Sequence, residues 1–242
     1  MGATVAPMNA IDTILRVLPW TDWVALVVYF AAWVGYAWFA HRLAAVRPSV
    51  LALTNRERVR WMLQTTSREN RVVDGVVVQN LSASPSFFAS TTILIIGGLL
   101  AVLSSTERAS EIVREIPFAA RSSVLVFDLK VVLMLAIFVY AFFRFTWSLR
   151  QYTFGALLVA AAPDPKLFTD AAQRDAFASR AGRVMGLAAE TFNDGLRAYY
   201  MSFAALAWFF SPWAMLGATA GVVFILYRRE FHSDVLAVLN EA

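Results

Sequence analysis

Residues 124–145 read VLVFDLKVVLMLAIFVYAFFRF, with three charged side chains, Asp128, Lys130 and Arg144, and no glycine or proline. At about 1.5 Å per residue, a helix of this length covers the ~30 Å hydrocarbon core of a bilayer. So long an apolar stretch is stable as a helix surrounded by hydrocarbon. The helical pattern continues through Trp147, Leu149 and Tyr152 to Ala160, beyond what a membrane needs. Pro163 and Pro165 then stop it.

Three further apolar stretches flank this one, over 20–40, 86–103 and 198–227. Trp20 and Trp23 suit a headgroup region, and Asp22 can cap the first span. Ser84, Pro85 and Ser86 mark the start of the second span. That span is rich in small residues, Ser90, Thr91, Thr92, Gly97 and Gly98, which let helices approach closely in lipid. It is therefore expected inside the bundle or at a subunit contact. Pro212 is expected to kink the last span. Residues 9–18 read as a short interfacial helix, and residues 1–19 are too polar for a cleavable signal peptide.

Polar, helically patterned segments lie between the spans, over 41–84 and 150–197. Thr54 and Glu57 suggest a capping box. The expected fold is all-α: a polytopic membrane helical bundle of four transmembrane helices with long amphipathic cytoplasmic helices, forming one domain over 1–242. The composition agrees, with 59% hydrophobic and 16% charged residues. An average soluble domain has about 25% charged.

The two long segments hold thirteen Arg and Lys, against six on the other side: Arg16, Arg108, Arg114, Arg121, Arg228 and Arg229. The positive-inside rule places the long segments in the cytoplasm and both termini outside. Arg228 and Arg229 stand on the wrong side in this arrangement. The net charge of +4 is assigned to the cytoplasmic loops and not to nucleic acid.

Chemistry-bearing residues are few. Cysteine is absent, and His41 and His232 are the only histidines. No disulfide, thiolate site or cysteine nucleophile can form, and no cofactor or metal is expected. Ser90, Thr91 and Thr92 have no visible base nearby and read as packing residues. No catalytic residues are assigned.

Charges inside spans are costly, so Asp128 and Lys130 must pair, snorkel or line water. Two helical steps turn them to nearly opposite sides, so they do not face each other. In the bland reading Lys130 snorkels outward and Asp128 bonds a neighbouring helix. In the functional one, either lines an ion path. Lys130 and Arg144 share a face about 21 Å apart, and Arg150 relates to Asp128 similarly. Asp194 and Arg197 can pair at i, i+3. With Asn193, Arg150 and Gln151 they would form a polar cluster at the cytoplasmic mouth.

Several stretches look familiar in combination: Asp22-Trp23 with Gly35-Tyr36, Arg60-Trp61-Met62, the run from Phe87 to Leu94, the run from Phe145 to Tyr152, Phe192-Asn193-Asp194-Gly195 through Tyr200, and Leu226 to Phe231. Over roughly residues 20–240 the chain resembles a family of bacterial inner-membrane proteins known as domain of unknown function five hundred and ninety-nine. The resemblance implies a helical membrane fold and the inner membrane, and carries no activity. The functional expectation is a homo-oligomeric ion channel or transporter with an anion preference. The alternative is a non-transporting scaffold that binds a partner protein or anionic lipid through the basic segment around Arg56–Arg71.

Overall fold

The computed structural model describes residues 18–44, 46–115 and 123–241. The helix expected over 9–18 lies outside the described residues except for Leu18. Eight α-helices occur among the described residues: α1 Trp20–Ala44, α2 Val50–Thr65, α3 Val72–Ser104, α4 Thr106–Glu115, α5 Val124–Ala160, α6 Ala171–Ala207, α7 Pro212–Phe231 and α8 Asp234–Asn240. No strand appears among them.

Helix starts follow local chemistry. Ser123 and Asp170 cap α5 and α6 by accepting from Val126 N and Gln173 N. Helix α5 ends at Ala160, ahead of Pro163. Ser49 caps α2, so the helix starts five residues before the expected capping box. Thr54 instead sits inside the helix and donates back to the Val50 carbonyl at 2.8 Å.

Two boundaries differ from expectation. The helix that holds the second span does not begin at Ser86. Helix α3 runs unbroken from Val72 through Pro85 to Ser104. Proline removes one N–H, and one missing bond in 33 residues does not end a helix packed along another.

The stretch 198–227 is not one kinked helix. Helix α6 stops at Ala207, and the chain turns through Trp208–Ser211. Pro212 is the first residue of α7, with Ser211 as its cap. A proline at the first helical position is preorganised for a helix start, and it biases the residue before it to extended backbone. Pro212 therefore marks a reversal of direction.

Among the described residues, three helices are long and apolar enough to cross a membrane: Trp20–Ala40 of α1, then α3 and α5. Their packing defines an apolar slab. At one end Trp208 meets Asp22 of α1 and Lys130 of α5. At the other, Arg144 of α5 meets Asp194 of α6, and Arg197 lies over the Tyr36 ring of α1. Fourteen residues separate Asp22 from Tyr36, Lys130 from Arg144 and Asp194 from Trp208, about 21 Å of helix each.

Helix α7 and the last part of α6 run within the same slab. Leu226 and Phe231 of α7 cluster with Tyr36 and Ala40 of α1. The end of α7 thus lies at the same end of the slab as the end of α1, while Leu18 lies at the opposite end with Trp208. The described residues therefore start and finish at opposite ends of the slab. Arg228 and Arg229, at the end of α7, therefore lie at the end of the slab that carries Arg197, away from Asp22 and Trp208.

Within the slab, large apolar side chains point outward from several helices, among them Val34, Leu94, Phe143, Phe203 and Phe224. Apolar exposure of this extent around a bundle fits hydrocarbon as solvent. Between α3, α5 and α6 the interior is filled by Phe88, Phe138, Phe145 and Tyr199, with ring centroids 5.2–5.5 Å apart.

Beyond the slab, α5 and α6 continue as a hairpin that packs with α2 and the start of α3. Met62, Val78, Tyr152 and Met185 form the core of this second layer. Asp74 is fully buried there and accepts from Trp61 Nε1 at 2.7 Å, from Thr65 Oγ1 at 3.0 Å and from Arg68. Arg71 clamps the layer by donating to the carbonyls of Ala162 and Pro163.

Candidate functional site

The residues singled out by sequence do not form one cluster. Asp128 accepts from Thr106 Oγ1 of α4 at 2.8 Å, a bond between neighbouring helices. Lys130 does not snorkel. Its side chain turns inward, only 3% of the residue is exposed, and its ammonium donates to the Trp208 carbonyl at 2.9 Å. The Trp208 indole donates to Asp22 at 2.5 Å. Asp22 lies in the first turn of α1 and is the buried carboxylate of this end, reached from Lys130 through Trp208.

Arg144, Asp194 and Arg197 form one network. Asp194 takes Arg144 on Oδ2 and Arg197 on Oδ1, the latter at 2.9 Å. One carboxylate between two guanidiniums leaves a surplus positive charge at the slab boundary. Arg150 is absent from this network. It lies on an exposed face over the Phe154 ring, 5.8 Å from its centroid. Gln151 is half-buried and its Oε1 has no hydrogen-bond partner, as is true of Arg144 Nε.

The small residues of α3 divide. Thr92 is buried and bonds the Tyr199 hydroxyl at 2.6 Å. Thr91 bonds back to the Phe87 carbonyl. Ser90, Gly97 and Gly98 are exposed, and a Cβ on either glycine would meet open space. They do not pack inside this chain.

Sequence reasoning missed the arrangement that joins slab and outer layer. Helix α2 lies across the junction, and a cavity of about 480 Å³ opens beneath it. Its polar lining includes Thr54 and Arg58 of α2, Asn80 of α3, Tyr152 of α5, Asn193 of α6, and Arg229 and Glu230 of α7. Arg58 was legible only as one of several arginines on a basic segment.

Arg58 is half-buried, and its hydrogen bonds all run through one terminal nitrogen, to Thr54 Oγ1 at 3.0 Å and Asn55 Oδ1 at 2.8 Å. Both partners are neutral. Glu190 is reached only through Asn55, which donates to it at 2.9 Å. Among the described residues no carboxylate lies within ion-pair distance of Arg58. Burial pushes its pKa down, while Tyr152 and Glu190 pull it back up. A guanidinium nevertheless stays charged in proteins.

Opposite it, Arg229 donates to the Tyr200 hydroxyl at 2.6 Å. Glu230 accepts from Leu51 N at 3.2 Å, in the first turn of α2. A carboxylate is favourable at a helix N-terminus, so Glu230 is engaged away from both arginines.

Fold and site together define an all-helical protein with helices able to cross a membrane and a cationic cavity where the apolar slab ends. The family model described as Protein of unknown function, DUF599, matches residues 24–235, and the chain belongs to that family. No curated protein and no solved structure matches it.

Proposed function

We propose that this is a multi-pass membrane protein that binds an anionic group, a phosphate or carboxylate, in the cavity between Arg58 and Arg229. The observation that carries the reading is Arg58: a half-buried guanidinium without a carboxylate partner, facing a cavity. Burying a charge is costly unless something compensates it. An anion bidentate on the free edge of Arg58 supplies that compensation.

In this reading five helical segments cross the bilayer: α1, the inner part of α3, the first half of α5, the last part of α6, and α7. The charge count then puts the outer layer and the C-terminal end in the cytoplasm, and the start of α1 on the other side. With the resemblance noted above, the membrane is the bacterial inner membrane.

The test uses the full chain purified in an uncharged detergent and titrated with inorganic phosphate. Arg58→Gln keeps a polar side chain next to Thr54 and loses the charge. A charge-assisted hydrogen bond contributes about 1.5–3 kcal/mol, so affinity is expected to fall roughly tenfold or more. Thermal unfolding without phosphate checks that the variant folds. Equal affinity of both proteins for phosphate, or no binding by the wild type, contradicts the proposal.

A second reading, an anion-conducting homo-oligomer, is favoured by one observation: the open face of α3 at Gly97 and Gly98. The single chain is filled by aromatic rings between α3, α5 and α6, so a path would have to form between copies. Gly97→Leu is then expected to dissociate the oligomer and abolish anion flux into liposomes. A monomeric wild type in a bilayer rules this reading out.

A further inference from the structure

We infer that the anionic ligand is a membrane lipid, with an acyl chain lying in a groove between α1 and α7 and its phosphate at Arg229. This deepens the reading above and rests on it.

The groove is a second hollow, of about 690 Å³. It lies between α1 and α7 because Ala31, Ala32, Gly35 and Ala220 leave the helices without side chains long enough to fill the gap. It runs from Val28 to Phe39 along α1, eleven steps or about 16 Å of helix. One leaflet of hydrocarbon is half of the ~30 Å core, about 15 Å. The groove thus matches an acyl chain entering from one surface and ending near the midplane.

Its position fits as well. The groove ends beside Tyr36 and Tyr227, at the slab boundary where amphipathic rings collect. A hollow of about 20 Å³ lies between the groove and the cationic cavity, sharing Tyr36 with the first and Asn193, Arg229 and Glu230 with the second. Arg197 also lines it. An amphiphile seated along this line has its tail among alanines and its phosphate within reach of Arg229. Its headgroup points toward Arg58.

Charge decides the class of occupant. Asp194 is taken up by Arg144 and Arg197, and Glu230 by the first turn of α2. The polar end therefore presents excess positive charge, complementary to an anionic phospholipid and not to a zwitterionic one. Apart from Tyr36 and Tyr227 near its end, the groove has one polar residue, Thr219, whose hydroxyl is already bonded to the Met215 carbonyl at 2.7 Å. A polar occupant would find no partner along it.

The experiment fills the groove without touching the arginines. A Cβ at Gly35 meets nothing within 4 Å, so Gly35→Phe places its ring in the groove without forcing the helices apart. Ala220→Phe does the same from α7. The full-length proteins in uncharged detergent are mixed with phosphatidylglycerol, with phosphatidylcholine, or with inorganic phosphate, and the thermal unfolding midpoint is read. Phosphatidylglycerol is expected to raise the wild-type midpoint by several degrees, and phosphatidylcholine to leave it in place. Both phenylalanine variants are expected to lose the lipid response and keep the phosphate response.

Four outcomes overturn the inference. Variants that still respond to phosphatidylglycerol place the lipid elsewhere. Equal responses to both lipids remove headgroup selection. A wild type that responds to phosphate alone identifies a free anion as the ligand and leaves the binding proposal intact. A wild type that responds to none of the three defeats both.

Discussion

Asp74→Ala is expected to lower the thermal unfolding midpoint by about 10 °C, the largest loss among single side-chain truncations here. Asp74 is fully buried and is the shared acceptor for Trp61, Thr65 and Arg68. Alanine leaves the indole and hydroxyl donors inside the outer layer without this partner. Breaking such a buried charged centre costs about 3–5 kcal/mol. At 2–4 °C per kcal/mol for a chain of this size, roughly ten degrees follow. Asp74→Asn keeps one carbonyl acceptor and is expected to lose about half as much. The check is circular dichroism of detergent-purified protein during heating. If the alanine variant melts with the wild type, Asp74 does not hold α2 to α3.

Gly182→Leu is expected to do comparable damage by the opposite route. A Cβ at Gly182 would sit 2.7 Å from Val59 Cα, which is backbone and cannot swing aside. Gly186, one turn on, faces Asn55 at 3.1 Å. These two glycines let α6 and α2 approach closely, as small residues four apart do between packed helices. Even a modest overpacking costs about 1–3 kcal/mol, and leucine adds three more carbons to a contact already closed. The expected result is a midpoint drop of about 10 °C and weakened phosphate binding, because α2 carries Arg58. Gly35→Leu is the control, since Gly35 borders open space. Equal loss in the two variants would show that leucine bulk matters and the α2–α6 contact does not.

Much of the fold was readable from the chain. The limits of α5 follow from an apolar run too long for water, with a serine ahead of it and prolines after it. The pairing of Asp194 with Arg197 follows from their spacing on one helix. The partner of Arg144 did not, because Asp194 lies fifty residues away on another helix and only the α5–α6 hairpin brings them together. Lys130 misled for a related reason. A lysine near the end of a span is expected to reach outward, yet here Asp22 and the free carbonyl of Trp208 offer partners inside. The chain reversal at Trp208–Ser211 was hidden because Ser-Pro between apolar stretches serves equally as a kink or as a fresh helix start. The 21 Å spacing shared by α1, α5 and α6 separates those two. The pocket around Arg58 needed six helices to be placed at once, and no local pattern contains it.

The two 37-residue helices α5 and α6 pass from slab to outer layer without a break. A rod of about 55 Å with no interrupted hydrogen bond has no hinge, so any tilt given to its outer half is delivered undiminished to its embedded half. Helix α2 is bound to that rod at Gly182 and Gly186 and to α3 through Asp74, so it moves with the outer half of the hairpin. A load applied to α2 would act as a hand on a lever, with the fulcrum at Arg144, Asp194 and Arg197.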